Sequence, residues 1–278
     1  MRSLPVIDVR PLLPRVDAAL IELLRGLSPD DWRRPTLARL WTVQDIAAHL
    51  LDTYLRRLSI QRDGHFGDPP GEIGSYGDLV GYLNRLNADW VQAFRRVSPG
   101  VLTDLLERWG PPSSAYLAGL DPRGKALFPV AWAGEEESTA WFDVAREYTE
   151  RWHHQQQIRH ATGRPGLLER DLYHPVLDTF LRALPHTYRE VAAAKGALLR
   201  VTVTGEAGGT WDLLRRDGAW QLGTDAEGSP DAEVTIPREI AWRLFTKGIG
   251  KDEARPLLRV EGDPGLGWPV LQLLAVMA

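Results

Sequence analysis

The hydrophobic period of this 278-residue chain changes once, near residue 195, and this change limits the folds open to it. Before that point, apolar residues such as Val16, Leu20 and Leu23 recur three and four positions apart, as on one face of a helix. After it, β-branched and polar residues alternate, and Asp217-Gly218 is a strong signal for a two-residue hairpin. We therefore predict an α+β protein in which a helical bundle comes first and a small α/β domain with a mostly antiparallel sheet follows.

The ends of the predicted helices are marked by capping residues. Thr42, with Asp45 three residues later, forms an imperfect capping box, and Gly163 followed by Pro165 ends the last helix of the bundle. The Gly- and Pro-rich segment 110–138 is predicted to be irregular. The predicted helices lie at about 16–24, 42–58, 76–97, 99–109, 139–162 and 170–194.

Charge and composition exclude several classes of function. The net charge of -4 gives no basic surface of the kind that nucleic acids or anionic membranes require, so neither partner is expected. The chain has no signal peptide pattern, no apolar run long enough to span a membrane and no cysteine, which together predict a cytoplasmic protein without disulfides. Any thiol chemistry must therefore use a thiol from outside the chain.

The segment from Glu150 to Gly166 contains the residues most suited to metal chemistry. Glu150 and His154 are four residues apart, so they share a helix face, whereas His153 points about 100 degrees away. His49, on the buried side of the second helix, is the best candidate for a third ligand. His153 is predicted to be either a capping residue on the bundle surface or a partner of Glu147 or Gln157, rather than a ligand. Glutamines 155–157 are predicted to form a polar surface.

Spacing alone leaves other interpretations open. A Glu and a His four apart are typical of a solvated pair, and a lone histidine such as His49 is typical of a hydrogen-bonded core residue. Several further side chains are candidates for roles around the site. They are Asp45 and Asp52 as partners of a liganding histidine, Arg56, Arg57, Arg151 and Arg243 as carboxylate-binding groups, and Trp41 and Trp152 mainly as packing residues.

Two motifs resemble a known family. The segment W-T-V-x-D-I-A-A-H-L at residues 41–50, and E-R-W-H-H-Q-Q-Q-I-x-x-A-T-G-R-P at residues 150–165, are similar to the mycothiol-dependent maleylpyruvate isomerase family. The resemblance implies a DinB-like four-helix bundle over residues 1–166 and a sterol-carrier-like α/β domain over residues 167–278. It also implies that His49, Glu150 and His154 bind a divalent metal.

The resemblance predicts a metal-dependent enzyme that uses a low-molecular-weight thiol such as mycothiol, acting as an isomerase or S-transferase on a small organic substrate. Zinc is the expected metal, and nickel or iron accept the same ligands. No other catalytic or cofactor-binding residue can be assigned from the sequence, and the chain is expected to be a monomer or a homodimer. Two alternatives stay open: a lipid or small-molecule carrier with a structural metal, and a hydrolase that uses metal-bound water.

Overall fold

The computed structural model describes residues 1–277. After a short first strand, seven helices come first, and the other five strands of a six-stranded sheet follow with short helices of their own. Helices α1 to α7 span Leu13–Arg25, Val43–Arg57, Tyr76–Phe94, Pro99–Ala118, Ala140–Thr162, Arg170–Leu181 and Leu184–Thr187. Strands β1 to β6 span Arg2–Ser3, Leu198–Val203, Gly209–Arg216, Ala219–Thr224, Ala232–Ile236 and Arg259–Gly262. Three further helices, α8 to α10, span Arg238–Phe245, Lys251–Ala254 and Pro264–Gly267. The predicted α+β fold is confirmed.

The capping residues define α2 and α5 as the sequence predicts. Thr42 accepts a hydrogen bond from the backbone of Asp45, and the Asp45 carboxylate accepts one from the backbone of Thr42 at 2.9 Å, so the capping box is complete. Helix α5 begins directly after Thr139 and ends at Gly163, which has the left-handed conformation common at helix ends. These two helices carry the candidate ligands.

Helix α4 differs from its prediction. The chain continues as helix through Pro111 and Pro112 to Ala118, so the prediction of irregular chain is wrong for residues 110–118. It holds for most of residues 119–138. The prolines remove backbone donors, yet Ser113 and Leu117 beyond them are fully buried against the rest of the bundle, and this packing holds the helix.

The predicted helix 170–194 is also wrong in its extent. Helix α6 ends at Leu181, and the short α7, with Pro185 in its first turn, ends at Thr187. Proline is well suited to the start of a helix, and here it opens a separate one.

The sheet has the order β1-β4-β3-β2-β5-β6, and β2 and β5 are its one parallel pair among residues 1–277. Asp217 and Gly218 join β3 to β4 with φ values of 51° and 80°, both positive as a type I′ turn requires. The predicted hairpin and the mostly antiparallel sheet are therefore confirmed. Strand β1 returns from the N-terminus to pair with β4, with Arg2 opposite Thr224.

The larger of two hydrophobic clusters connects the helices to the sheet. Trp152 of α5 stacks on Tyr173 of α6 with ring centroids 4.6 Å apart, and meets Trp242 of α8 edge-on at 6.1 Å. A second cluster lies within the bundle, where α4 packs on α1 and α2. The division into residues 1–166 and 167–278 stays a prediction. No helix that the structure describes is both long and apolar enough to cross a membrane.

Candidate metal centre

The three candidate ligands come together between α2 and α5. One donor atom from each of His49, Glu150 and His154 lies within 4.8 Å of the other two, and within residues 1–277 this is the one such group of three. The imidazole rings of His49 and His154 meet edge-on with centroids 4.7 Å apart. Both histidines are buried, whereas the Glu150 side chain is 20% exposed, so the group can be reached from solvent.

The distance between two of the donors suits a single tetrahedral ion. His154 Nε2 lies 3.4 Å from Glu150 Oε2. Two ligands at about 2.1 Å from a tetrahedral zinc ion are themselves roughly 3.4 Å apart. His49 Nδ1 is buried without a hydrogen-bond partner in the described chain, so the protein alone leaves this imidazole unsatisfied. The nitrogen and oxygen donors therefore fit a divalent metal such as zinc.

The charges of the three groups also favour metal binding. Burial lowers the pKa of His49 well below its usual value, and the nearby His154 lowers it further, so the imidazole stays neutral. Burial alone would raise the pKa of Glu150, but the neighbouring imidazoles of His153, His154 and His49, including the hydrogen bond with His154, together hold it well below its ordinary value. Glu150 is therefore a carboxylate at neutral pH.

Gln157 fixes the orientation of His154. Its side-chain oxygen Oε1 lies 2.9 Å from His154 Nδ1, and the residue is only 3% exposed. When Nδ1 carries the proton and donates it to Gln157, Nε2 is left with a free lone pair directed towards Glu150. The glutamine acts on the site through this histidine.

The prediction that glutamines 155–157 form a polar surface is wrong. All three are buried: Gln155 donates to the carbonyl of Val16 at 3.0 Å, and Gln156 donates to that of Gly166 at 2.8 Å. Each amide is buried because it finds a partner inside the protein. Only one signal in the sequence could have identified Gln157, namely its position three residues after His154, on the same side of the helix.

His153 is also buried, against the prediction of a surface position. It is 3% exposed, its Nδ1 lies 2.9 Å from the carbonyl oxygen of Thr149, and its ring centroid lies 4.0 Å from that of His154. Burial, followed by the charge of His154, lowers the pKa of His153 to about 4. Its donors are not part of the ligand group, in agreement with the geometry of adjacent helix residues.

The predicted carboxylate partners of a liganding histidine have other contacts. Asp45 caps α2 and binds Arg95 at 2.9 Å, and Asp52 lies 3.4 Å from Arg56. Trp41 lies against the site, with its ring centroid 4.8 Å from that of His49, so it covers one side of the imidazole. Trp152 is a core residue, as predicted.

Two of the four candidate arginines are occupied by buried ion pairs. Arg57 of α2 binds Asp143 and Glu147 of α5, each at 2.8 Å, and so connects the two helices that carry the ligands. Arg151 binds Asp17 at 2.9 Å. Neither guanidinium is available to a substrate.

The other two candidate arginines lie in different surroundings. Arg243 is on α8, where its charge adds to burial in lowering the pKa of His160. Arg56 lies on α2 beyond His49, beside Asp52, and its side chain is 26% exposed.

Comparison with known proteins gives the fold and the family. The solved structure of the mycothiol-dependent maleylpyruvate isomerase is 13% identical, covering 90% of this chain and 92% of its own, with a TM-score of 0.54. A histidine-to-alanine mutant of that enzyme is 12% identical, covering 94% and 96%, with a TM-score of 0.56. These likenesses show that the fold is shared over nearly the whole chain.

Sterol carrier protein domain 2 of Helicoverpa armigera is 19% identical and covers 36% of this chain and 81% of its own, with a TM-score of 0.27. No curated protein matches the sequence. The family model described as "Mycothiol maleylpyruvate isomerase N-terminal domain" matches residues 13–159, more than half of the chain and the part that contains all three candidate ligands. As its motifs predict, the chain belongs to the mycothiol maleylpyruvate isomerase family.

Proposed function

We propose that this protein is a metal-dependent enzyme that uses a small external thiol of the mycothiol type to isomerise, or to transfer the thiol to, a small organic substrate. The observation that carries the proposal is the convergence of His49, Glu150 and His154 at a point that solvent can reach. Membership of the isomerase family supports the thiol. The absence of cysteine from the sequence means that this chain does not provide one.

The side chains at the site have different roles. Glu150 contributes one negative charge. Histidines bind a metal in their neutral form, so a bound divalent cation would keep a net positive charge that attracts an anionic thiol. Such a metal acts as a Lewis acid and lowers the pKa of a coordinated thiol or water. Gln157 keeps Nε2 of His154 free, and Trp41 shields His49 from water.

Three protein ligands are typical of a catalytic metal, since structural zinc sites use four. With two ligands on α5 and one on α2, the fourth position would be open to a thiol or to water. We expect zinc there, although nickel and iron accept the same donors.

Metal content tests the first half of the proposal. We expect the purified protein, incubated with zinc and then freed of excess ion, to retain one zinc per chain by mass spectrometry of the metal. His49→Ala should lose it, whereas His65→Ala, which changes an exposed loop histidine, should retain it. Failure of the parent protein to hold zinc, or full retention by His49→Ala, would contradict the proposal.

Thiol dependence tests the second half. The zinc-loaded protein should convert maleylpyruvate, or a related small substrate, only when mycothiol or another small thiol is added. Hydrolysis of a substrate at the same rate without thiol would instead assign the site to a hydrolase that uses metal-bound water.

A further inference from the structure

Four polar residues of α5 share the side of the helix that meets α2. They follow one another at spacings of four, three and four residues, and they are Asp143, Glu147, Glu150 and His154. The first two bind Arg57 of α2, and the last two meet His49 of the same helix. Apolar side chains that interdigitate usually fix how two helices align, and these four residues provide none.

The metal centre and the ion pairs align the two helices in the same way. Arg57 lies eight residues after the ligand His49 on α2, and its two partners lie seven residues before the two ligands on α5. The two helices are therefore antiparallel along this stretch, and the ion pairs lie two turns, roughly 12 Å, from the metal centre. One alignment of α2 against α5 satisfies both sets of contacts.

The ion pairs of Arg57 are buried and fully charged. The side chains of Arg57, Asp143 and Glu147 are 7%, 1% and 4% exposed. Burial raises the pKa of Asp143, but the charges of Arg57 and Arg146 lower it to about 2. Within residues 1–277 no other ion pair joins α2 to α5 directly. Any alignment that separates these partners leaves buried charges uncompensated, which is strongly destabilising.

We propose that Arg57 is a positioning residue of the metal centre, because its two ion pairs fix the alignment of α2 against α5 in which His49 meets the other ligands. A slide of one helical turn would move His49 by about 5.4 Å along α5. This exceeds twice the length of a zinc–nitrogen bond, about 2.0–2.1 Å, so the three donors would no longer share one ion. Fixing the register of paired helices is a known use of buried polar groups. This inference rests on the metal site of the proposed function, to which it adds a residue that controls metal affinity from two turns away.

A double substitution removes the bridge without leaving an unpaired buried charge. In Arg57→Met with Glu147→Leu the net charge is unchanged, and Asp143 keeps its contacts with Arg146 and Gln61. Apolar residues of similar size often replace a buried ion pair without loss of stability. We expect zinc affinity, measured by competition with a chromophoric chelator, to fall at least tenfold. A chain that is correctly aligned for one tenth of the time binds its ligand tenfold more weakly.

The alignment itself can be measured without metal, since the chain has no cysteine of its own. Two exposed residues suit the attachment of nitroxide labels to introduced cysteines: Arg62, in the helical turn that follows α2, and His160, in the last turn of α5. These positions lie roughly 30 Å apart along the helix pair. Double electron–electron resonance should give one narrow distance in the labelled parent protein. In the double variant we expect a second population displaced by about 5 Å, one helical turn.

The matched control makes the same two exchanges at an exposed ion pair between α1 and α4. Arg25→Met with Glu107→Leu removes a contact of 2.5 Å and should keep the zinc affinity and the label distance of the parent protein. Thermal melting of each variant detects a general loss of stability, which by itself does not change the distance between labels in the folded protein.

Two results would overturn the proposal. Arg57 has no such role if the folded double variant binds zinc as tightly as the control, or if its label distance equals that of the parent protein. If the double variant does not fold, Arg57→Lys decides by the same two measurements. Lysine keeps the charge but lacks the paired donors that hold two carboxylates, so we expect at least a threefold loss of zinc affinity and a broader label distance.

The label distance separates this inference from the proposed function. If the parent protein holds no zinc, the proposed function fails, and the distances in the metal-free parent and double variant alone decide whether Arg57 fixes the alignment. If zinc binds equally well to every folded variant, the proposed function stands and the role of Arg57 is refuted.

Discussion

Replacing Gln157 by leucine should weaken metal binding without touching a metal ligand. The amide oxygen of Gln157 accepts a hydrogen bond from His154 Nδ1 at 2.9 Å, in a position almost closed to solvent. Leucine is of similar size but cannot accept a hydrogen bond. His154 would then have no partner in place to fix its tautomer and ring angle, and its buried N–H would be unsatisfied.

We expect Gln157→Leu to lower both the affinity for zinc and the stability of the metal-free protein. Removing the group that orients a liganding histidine typically weakens metal affinity by about 10- to 100-fold. This corresponds to about 1.4–2.7 kcal/mol of binding free energy. Leaving the buried N–H of His154 without an acceptor also reduces the stability of the metal-free protein, by about 1–3 kcal/mol.

Gln156→Leu separates the two effects. Gln156 is the same residue type on the same helix, is also buried, and donates to the carbonyl of Gly166 away from the ligands. It should therefore lose similar stability but keep its zinc affinity. Competition for zinc with a chromophoric chelator measures both variants. The reasoning is refuted if Gln157→Leu binds zinc within about twofold of Gln156→Leu.

Three further predictions concern stability. Zinc at about 100 times its dissociation constant should add about 2.7 kcal/mol to the free energy of unfolding and raise Tm by several degrees, but should leave His49→Ala unchanged. The metal-free protein should lose stability as pH falls, because the folded pKa of His153 is about 4 against an ordinary 6.5. Between pH 6.5 and pH 4 the unfolded chain takes up a proton at His153 that the folded chain does not. The contribution of neutral, buried His153 to the free energy of unfolding is therefore complete above pH 6.5 and is lost by pH 4. Urea denaturation should show that the free energy of unfolding falls by about 3 kcal/mol between pH 6.5 and pH 4 because of this residue. In His153→Gln the free energy of unfolding should depend less on pH over this range. Arg151→Met leaves Asp17 buried without its cation and should cost about 3–5 kcal/mol, measured by the same denaturation, whereas Arg25→Met at an exposed pair should cost less than about 1 kcal/mol.

Local signals made much of the fold predictable. The complete capping box at Thr42 and Asp45, and the turn at Asp217 and Gly218, depend on neighbouring residues alone, so they can be read from short segments. The prediction for the segment around Pro111 was wrong because it considered neighbouring residues alone. Prolines disfavour a helix there, but tertiary packing holds it.

The three candidate ligands were predictable, Glu150 and His154 from their spacing on one helix and His49 from its buried position on α2 and from the family motif. Glu150 and His154 share a face because they are four residues apart, and the structure brings His49 to them. The burial of Gln157 and His153 could not be predicted, since a polar sequence such as that of α5 usually indicates exposure to solvent. Here α5 packs against α1, α2 and α6, which cover its polar side chains. Gln155, for example, donates to the backbone carbonyl of Val16.

The pairing of β1 with β4 has a consequence for how the molecule folds. Arg2 lies opposite Thr224, so the sheet reaches its full width only when residues 2 and 3 pair with a strand more than 200 residues later. Gly223 allows this close approach, because a Cβ atom there would lie 2.3 Å from the carbonyl oxygen of Arg2. Contacts between residues so far apart in the sequence form late in folding. Until β1 pairs with β4, the unpaired backbone groups at the edge of β4 can pair with other chains. A protein lacking residues 1–9, or carrying a side chain at position 223, should therefore aggregate during refolding even where its metal ligands are intact.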